Sequence, residues 1–299
     1  MKNTIRILVI LLLAFVMVFS EISCQDSRKT ENGVNQETAS WVDPCAQTVK
    51  LTGGTELLPY SGGNKNLAGS PYGYETWDFS QGGASGNKFT WYGANQGGGG
   101  AYRADWTGYF LARLGYFWGN GGPYTQYKNI YIDYNYDRTA NNTSSGGFIG
   151  VYGWSRNPSA SDPVKKLIEY YIVDDWFYNT QLGASQIGQG ASNVTEQGSF
   201  SVDGAVYKIY TAQRVNQPSI DGTKTFTQIF SVRQGVRTSG TISVTEHLKK
   251  MNGILPLGNM YEAKFKVETF GGKGNLDLRY LHLTMEDNPR SADKICHGN

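Results

Sequence analysis

The 299-residue chain has little charge, few cysteines and few histidines. Charged residues make up 17% of it and the formal net charge is +2. No basic face of the kind that holds nucleic acid is expected from that balance. His247, His282 and His297 are scattered, and no Cys-x-x-Cys occurs. Metal-ligand spacing is therefore absent, and neither a metal nor a cofactor is expected. The glycine runs carry no following Gly-Lys-Ser/Thr, and Gly-x-Ser-x-Gly is missing, so nucleotide and serine-hydrolase signatures are lacking too. One long apolar run exists, Ile7 to Phe19, behind Lys2 and Arg6. It is too short to span a bilayer and suits the core of a secretory signal.

Residues 1–23 are accordingly expected to be a signal peptide. Cys24 follows Ser23, and a small residue before a cysteine suggests a lipoprotein site. Glu21 stands where such sites usually carry leucine, so cleavage near Ser23 without a lipid is the other reading. The protein is expected to be secreted or a cell-surface lipoprotein, touching membrane only through a lipid on Cys24. Setting Cys24 aside leaves Cys45 and Cys296. In an oxidising compartment they are expected to pair and tie the chain ends together.

What is abundant is glycine, tyrosine and tryptophan: 38, 20 and 7 residues. Glycine-rich turns between short aromatic strands predict an all-β sandwich or barrel. Residues 24–40 are polar and read as a flexible linker. Residues 41–71 read as an N-terminal extension packed on the main domain, 72–287 as that domain, and 288–299 as a tail. Tyr207–Val215 and Thr223–Arg233 predict a long hairpin with its tip at 216–222. One helix is expected, capped by Thr245 and stopped by Gly253.

The stretch from Leu167 to Trp176 predicts a strand, and Glu169 interrupts its apolar pattern. Leu167, Glu169, Tyr171 and Val173 share one face; Ile168, Tyr170 and Ile172 share the other. A carboxylate in such a run needs a partner or a wet cleft. Two readings stay open: an edge-strand glutamate facing solvent, or a cleft residue served by the flanking tyrosines. A second candidate is Glu268, in Met260 to Phe270. Here Glu262, Lys264, Lys266 and Glu268 share a face, which on its own reads as a solvated face of alternating charge.

Several segments, taken in order, carry a resemblance. These are Tyr152-Gly153-Trp154-Ser155-Arg156-Asn157-Pro158, Glu169-Tyr170-Tyr171-Ile172-Val173-Asp174, Gln213-Arg214-Val215-Asn216-Gln217-Pro218-Ser219-Ile220, Phe226-Thr227-Gln228 and Ser231-Val232-Arg233. From about Tyr72 to Met285 the chain resembles the glycoside hydrolase family 11 endo-β-1,4-xylanases. The resemblance implies a jelly-roll β-sandwich of two curved antiparallel sheets with one short helix. It implies endo-acting hydrolysis of xylan by a retaining mechanism, with Glu169 as nucleophile and Glu268 as acid/base. It also implies substrate contacts from Trp77, Tyr152, Tyr171, Arg214, Gln228 and the thumb residues Pro218 and Ile220. Xylan is the expected partner, and a monomer the expected state.

Three departures stand out. Ser159–Lys166 lengthens the connection before the Glu169 strand. Thr269-Phe270-Gly271-Gly272-Lys273-Gly274 replaces the family's Gly-Tyr-Gln-Ser-Ser-Gly after the acid/base. Ile229-Phe230 stands where members often carry Tyr-Trp. Tyr109 aligns, through a gap, with the Asn or Asp that neighbours the acid/base in the family, with Asp105 as the other candidate. A neutral tyrosine there predicts a near-neutral optimum, opposed by Lys264 and Lys266 if they lie close. A β-glucanase on the same plan and a catalytically inactive xylan-binding relative remain the alternatives.

Overall fold

Among the described residues, glycine-punctuated runs of tyrosine, valine and isoleucine form fourteen strands, because β-branched and aromatic side chains fit a pleated, half-buried surface. The computed structural model describes residues 41–57, 62–78, 87–140 and 145–298. The expected signal peptide, linker and Cys24 site lie outside the described residues.

The strands are β1 (Thr55–Leu57), β2 (Lys65–Asn66), β3 (Gly73–Asp78), β4 (Lys88–Trp91) and β5 (Tyr102–Phe117). Then come β6 (Asn129–Ala140), β7 (Gly147–Arg156), β8 (Leu167–Trp176), β9 (Ser192–Val202) and β10 (Ala205–Ser219). The chain continues with β11 (Gly222–Arg233), β12 (Ser239–Ser243), β13 (Asn259–Met260) and β14 (Glu262–Glu286). A single turn, α1 (Ala184–Ile187), precedes β9, and the expected helix is α2 (Val244–Ile254).

Hydrogen bonding runs continuously in the order β1-β4-β5-β14-β7-β8-β11-β10-β9. Two layers arise because β14 passes from one to the other. Its first half pairs with β7 over Lys264–Thr269, and its second half with β6 over Gly274–Glu286. The register with β5 shifts between Phe270 and Lys273, where Gly272 takes a φ of 75° that side chains disfavour. The result is the expected curved jelly-roll sandwich. One pairing departs from the antiparallel expectation: β8 and β11 run parallel, with Gln228 opposite Glu169. The β9–β10 excursion supplies the crossover that a parallel neighbour requires.

The alternation predicted for β8 holds. Ile168, Tyr170 and Ile172 enter the core between the layers, while Leu167, Tyr171 and Val173 join a second apolar cluster on the opposite face. Full burial of such side chains contributes roughly 1.5–3 kcal/mol each. At the end of β8 the register slips against Gly150, and Asp174 turns into the core. It accepts hydrogen bonds from Tyr134 (2.6 Å), Tyr207 (2.7 Å) and Arg237 (2.6 Å), which satisfies a charge that would otherwise be costly there.

Two local expectations are corrected. Ser243, not Thr245, is the N-cap of α2; the Thr245 hydroxyl accepts from the Ile130 amide instead, and Gly253 lies inside the last turn. The hairpin strands also run further than expected, β10 to Ser219 and β11 from Gly222, leaving only Ile220 and Asp221 at the tip. A bulge at Val215–Asn216 absorbs the bend, with Asn216 at a φ of 50°.

The described residues, all from Trp41 onward, form one compact unit. Cys45 and Cys296 are disulfide-bonded, as expected, with Cα atoms 6.2 Å apart. The Thr241 amide donates to the Cys296 carbonyl at 2.8 Å, and Arg290 pairs with Asp133 at 2.9 Å.

Candidate active site

Glu169 lies inside the sheet, between β7 and β11, and is 7% exposed. That excludes the edge-strand reading. Tyr152 Oη donates to its Oε1 at 2.6 Å, and Gln228 Nε2 to its Oε2 at 2.7 Å. The parallel register places Gln228 there, and the period of two on β7 puts Tyr152 on the same face as Trp154, which stands opposite Glu169. Two donors stabilise a buried carboxylate whose own oxygens only accept. Burial, and then the charge of Glu169, push the Tyr152 phenol well above its ordinary value, so it stays a donor. Tyr171, two residues along, is raised for the same reasons.

Glu268 lies on β14, opposite Leu111 of β5 and Phe148 of β7, and is 9% exposed. Tyr109 Oη donates to its Oε1 at 3.3 Å. The charge of Glu268 first, then burial, raise the Tyr109 phenol, which therefore stays protonated. The alignment of Tyr109 beside Glu268 holds; Asp105 is instead paired with Arg103, at 2.6 Å. Lys266 Nζ lies 2.6 Å from Oε2 of Glu268.

The solvated-face reading of this strand is overturned. Glu262, Lys264 and Lys266 are all buried, because β5 and β7 flank β14 and aromatic rings cover it. Beside them the sequence reading missed a second cluster. Arg113 Nε donates to Glu75 at 2.7 Å, and the same guanidinium reaches Glu262 at 3.5 Å. Lys264 bridges Glu262 (2.8 Å) and Glu75 (3.3 Å). Two acids and two bases thus offset one another in a dry layer. The signal was available: Glu75 and Arg113 interrupt aromatic and aliphatic strands just as Glu169 does. Arg113 Cζ also sits 4.3 Å over the Tyr152 ring, behind the donor to Glu169.

The softer site residues fall as follows. Trp77 stands opposite Leu111, in the same row as Glu268. Arg214 stands opposite Phe226, a member of the second apolar cluster, and its Nη2 lies 3.4 Å from Gln217. Ile220 packs against that cluster, and Pro218 is exposed opposite Thr223. At the tip, Asp221 accepts from Arg156 of β7 at 2.8 Å, a contact the sequence reading did not include.

Two carboxyl groups on one face, one served by a tyrosine and an amide, the other by a tyrosine and an ammonium, have unlike surroundings. Such a pair suits acid–base work in which the two groups need different protonation states.

The chain is similar to known proteins in both sequence and fold. The family model described as "Glycosyl hydrolases family 11" matches residues 72–279. The chain is 41% identical over 229 residues to endo-1,4-beta-xylanase C of Fibrobacter succinogenes, covering 75% of this chain and 33% of that protein. It is 34% identical over 255 residues to endo-1,4-beta-xylanase S20 of Neocallimastix patriciarum, covering 83% of this chain and 68% of that protein. The chain therefore spans about a third of the first relative's length and about two thirds of the second's. The crystal structure of wild-type ENZbleach xylanase superposes with a TM-score of 0.76 at 48% identity, over 87% of this chain and 98% of that one. A family model spanning most of the chain, and a sheet with two differently served glutamates on one face, lead to one statement: this chain belongs to glycoside hydrolase family 11.

Proposed function

We propose that the protein cuts β-1,4-xylosidic bonds within xylan chains by a retaining mechanism, with Glu169 as nucleophile and Glu268 as acid/base. The observation that carries this is the pair of glutamates on one sheet face, each with both oxygens engaged by different partners. Retaining hydrolysis uses two carboxyl groups about 5–5.5 Å apart across the sugar. Glu169 attacks the anomeric carbon while Glu268 protonates the departing glycosidic oxygen, so the C–O bond breaks as the glycosyl-enzyme bond forms. Glu268, now ionised, then takes a proton from water, whose oxygen displaces Glu169.

Gln228 and Tyr152 hold Glu169 in place for the attack. Trp77, Tyr171 and Arg214 contact the sugar chain, and Pro218 and Ile220 close over it. No cofactor takes part. We further propose export after removal of residues 1–23, with 24–40 as linker and 72–287 as the catalytic domain. Residues 41–71 and 288–299 brace it, and the protein acts as a monomer. A lipid on Cys24 would hold it at the cell surface.

The test is release of reducing ends from xylan, carboxymethyl-cellulose and mixed-linkage glucan. Xylan alone should be cut, and Glu169→Gln and Glu268→Gln should each remove nearly all activity while leaving the fold intact. Preference for a glucan, or full activity in either variant, overturns the reading.

A further inference from the structure

Lys266 touches Glu268, yet the two-carboxylate reaction gives it no part. Its side chain is 1% exposed. Its ammonium lies 2.6 Å from Oε2 of Glu268, 4.2 Å from the ring centre of Tyr171 and 4.5 Å from that of Tyr152. Ring faces attract a desolvated cation, so three groups fix the ammonium at one point. Tyr152 is also the donor to Glu169, so Lys266 lies against the support of both carboxyls. Tyr109 holds the other oxygen, Oε1.

Resting on the two-glutamate reading above, we propose that Lys266 is a positioning residue for Glu268. It binds Oε2, leaves Oε1 as the oxygen that carries and delivers the proton, and sets the alkaline limit of activity lower than the carboxyls alone would. An oxygen already bound to an ammonium at 2.6 Å is poorly suited to carry a proton as well. The Tyr109 hydroxyl suits either state of Oε1, donating to the carboxylate and accepting from the acid.

The charges around Glu268 oppose one another. Glu169 on β8 disfavours a second negative charge, while Lys266 favours it. Tyr152 on β7, Tyr171 on β8, Tyr178 just beyond β8 and Tyr109 on β5 are raised and neutral near pH 7. Arg113 on β5 is engaged by Glu75 and Glu262, and Arg214 on β10 by Gln217. Burial lowers the proton affinity of Lys266 itself, and the charge of Glu268 works against that. In the step that releases the leaving group, Lys266 stabilises the carboxylate that Glu268 becomes. In the second step it makes Glu268 a weaker base toward water.

The experiment compares wild type with Lys266→Met, which keeps the length and removes the charge. The expected result is an alkaline limb of kcat/KM displaced upward by about one to three pH units, the range seen when a paired cation is removed. Lys266→Arg should keep the limb near its wild-type place. In parallel, carbon-13 NMR of labelled glutamate carboxyls follows the Glu268 titration with no substrate present, and it should move the same way. An unmoved limb together with an unmoved titration overturns the proposal. If wild type releases no reducing ends, the functional reading fails, while the NMR comparison still decides the role of Lys266. Should Lys266→Met not fold, Lys266→Gln, uncharged but polar, serves in both measurements.

Discussion

Tyr152 donates a 2.6 Å hydrogen bond to Oε1 of Glu169 from the neighbouring strand, and the Arg113 guanidinium lies 4.3 Å over the same ring. The donor to the proposed nucleophile is thus held from behind by a buried ion cluster. A hydrogen bond to a charged group is worth about 1.5–3 kcal/mol. Tyr152→Phe should therefore lower kcat roughly 10- to 150-fold, with the circular dichroism spectrum unchanged. A loss under twofold would show that this hydrogen bond does not serve the reaction.

The disulfide closes a loop with a sequence separation of 251 residues. In the chain-entropy model such a closure stabilises by about 5 kcal/mol. Replacing Cys45 and Cys296 together by alanine should lower the melting temperature by several degrees or more, with activity at 25 °C retained. An unchanged melting temperature would mean that the ends already associate in the unfolded chain.

Burial raises the phenols of Tyr102, Tyr134, Tyr136, Tyr152, Tyr170, Tyr171 and Tyr207. In the unfolded chain they titrate near about pH 10. A group raised on folding contributes stability that is fully present below its unfolded value and lost as the pH climbs toward its folded one. Lys266, lowered by burial, has the opposite sign but is a single group. Urea midpoints should hold from pH 7 to 9 and fall steeply above about pH 10, as tyrosinate absorbance appears on unfolding. A midpoint that stays level to pH 11 contradicts this.

Arg156 and Asp221 join β7 to the hairpin tip, with side chains 29% and 39% exposed. A pair so exposed is worth about 0–1 kcal/mol, weak enough to open and close readily. Asp221→Asn should leave the melting temperature within about 2 °C and raise KM for xylan about two- to fivefold. Added salt should raise KM of wild type more than that of the variant. Equal salt dependence in both would separate the tip contact from substrate binding.

Much of this was legible in the sequence, where local pattern and tertiary environment agree. The alternation around Glu169 gave the right faces, and the family resemblance pointed to Gln228, which the structure sets opposite Glu169. What failed did so for physical reasons. Lys264 and Lys266 look solvated because a period of two separates faces but does not tell which face meets water. Strands flanking β14 on both sides, and tyrosine rings above it, buried both faces. The same blindness hid Glu75 and Arg113, whose partners lie on other strands. The parallel β8–β11 pairing was also invisible, since strand direction depends on the path of the connecting chain rather than on residues in either strand.

β14, the last of the described strands, lies in the middle of the sheet, with β5 on one side and β7 on the other. During vectorial synthesis its two neighbours emerge first and wait with open edges. A chain arrested before residue 262 would carry Glu169 but leave the β5 and β7 edges unpaired, and open edges invite pairing with other chains. Glu268 and the strand that seals the sheet arrive together, so the second glutamate of the proposed pair enters the fold in the same step that closes the β5 and β7 edges.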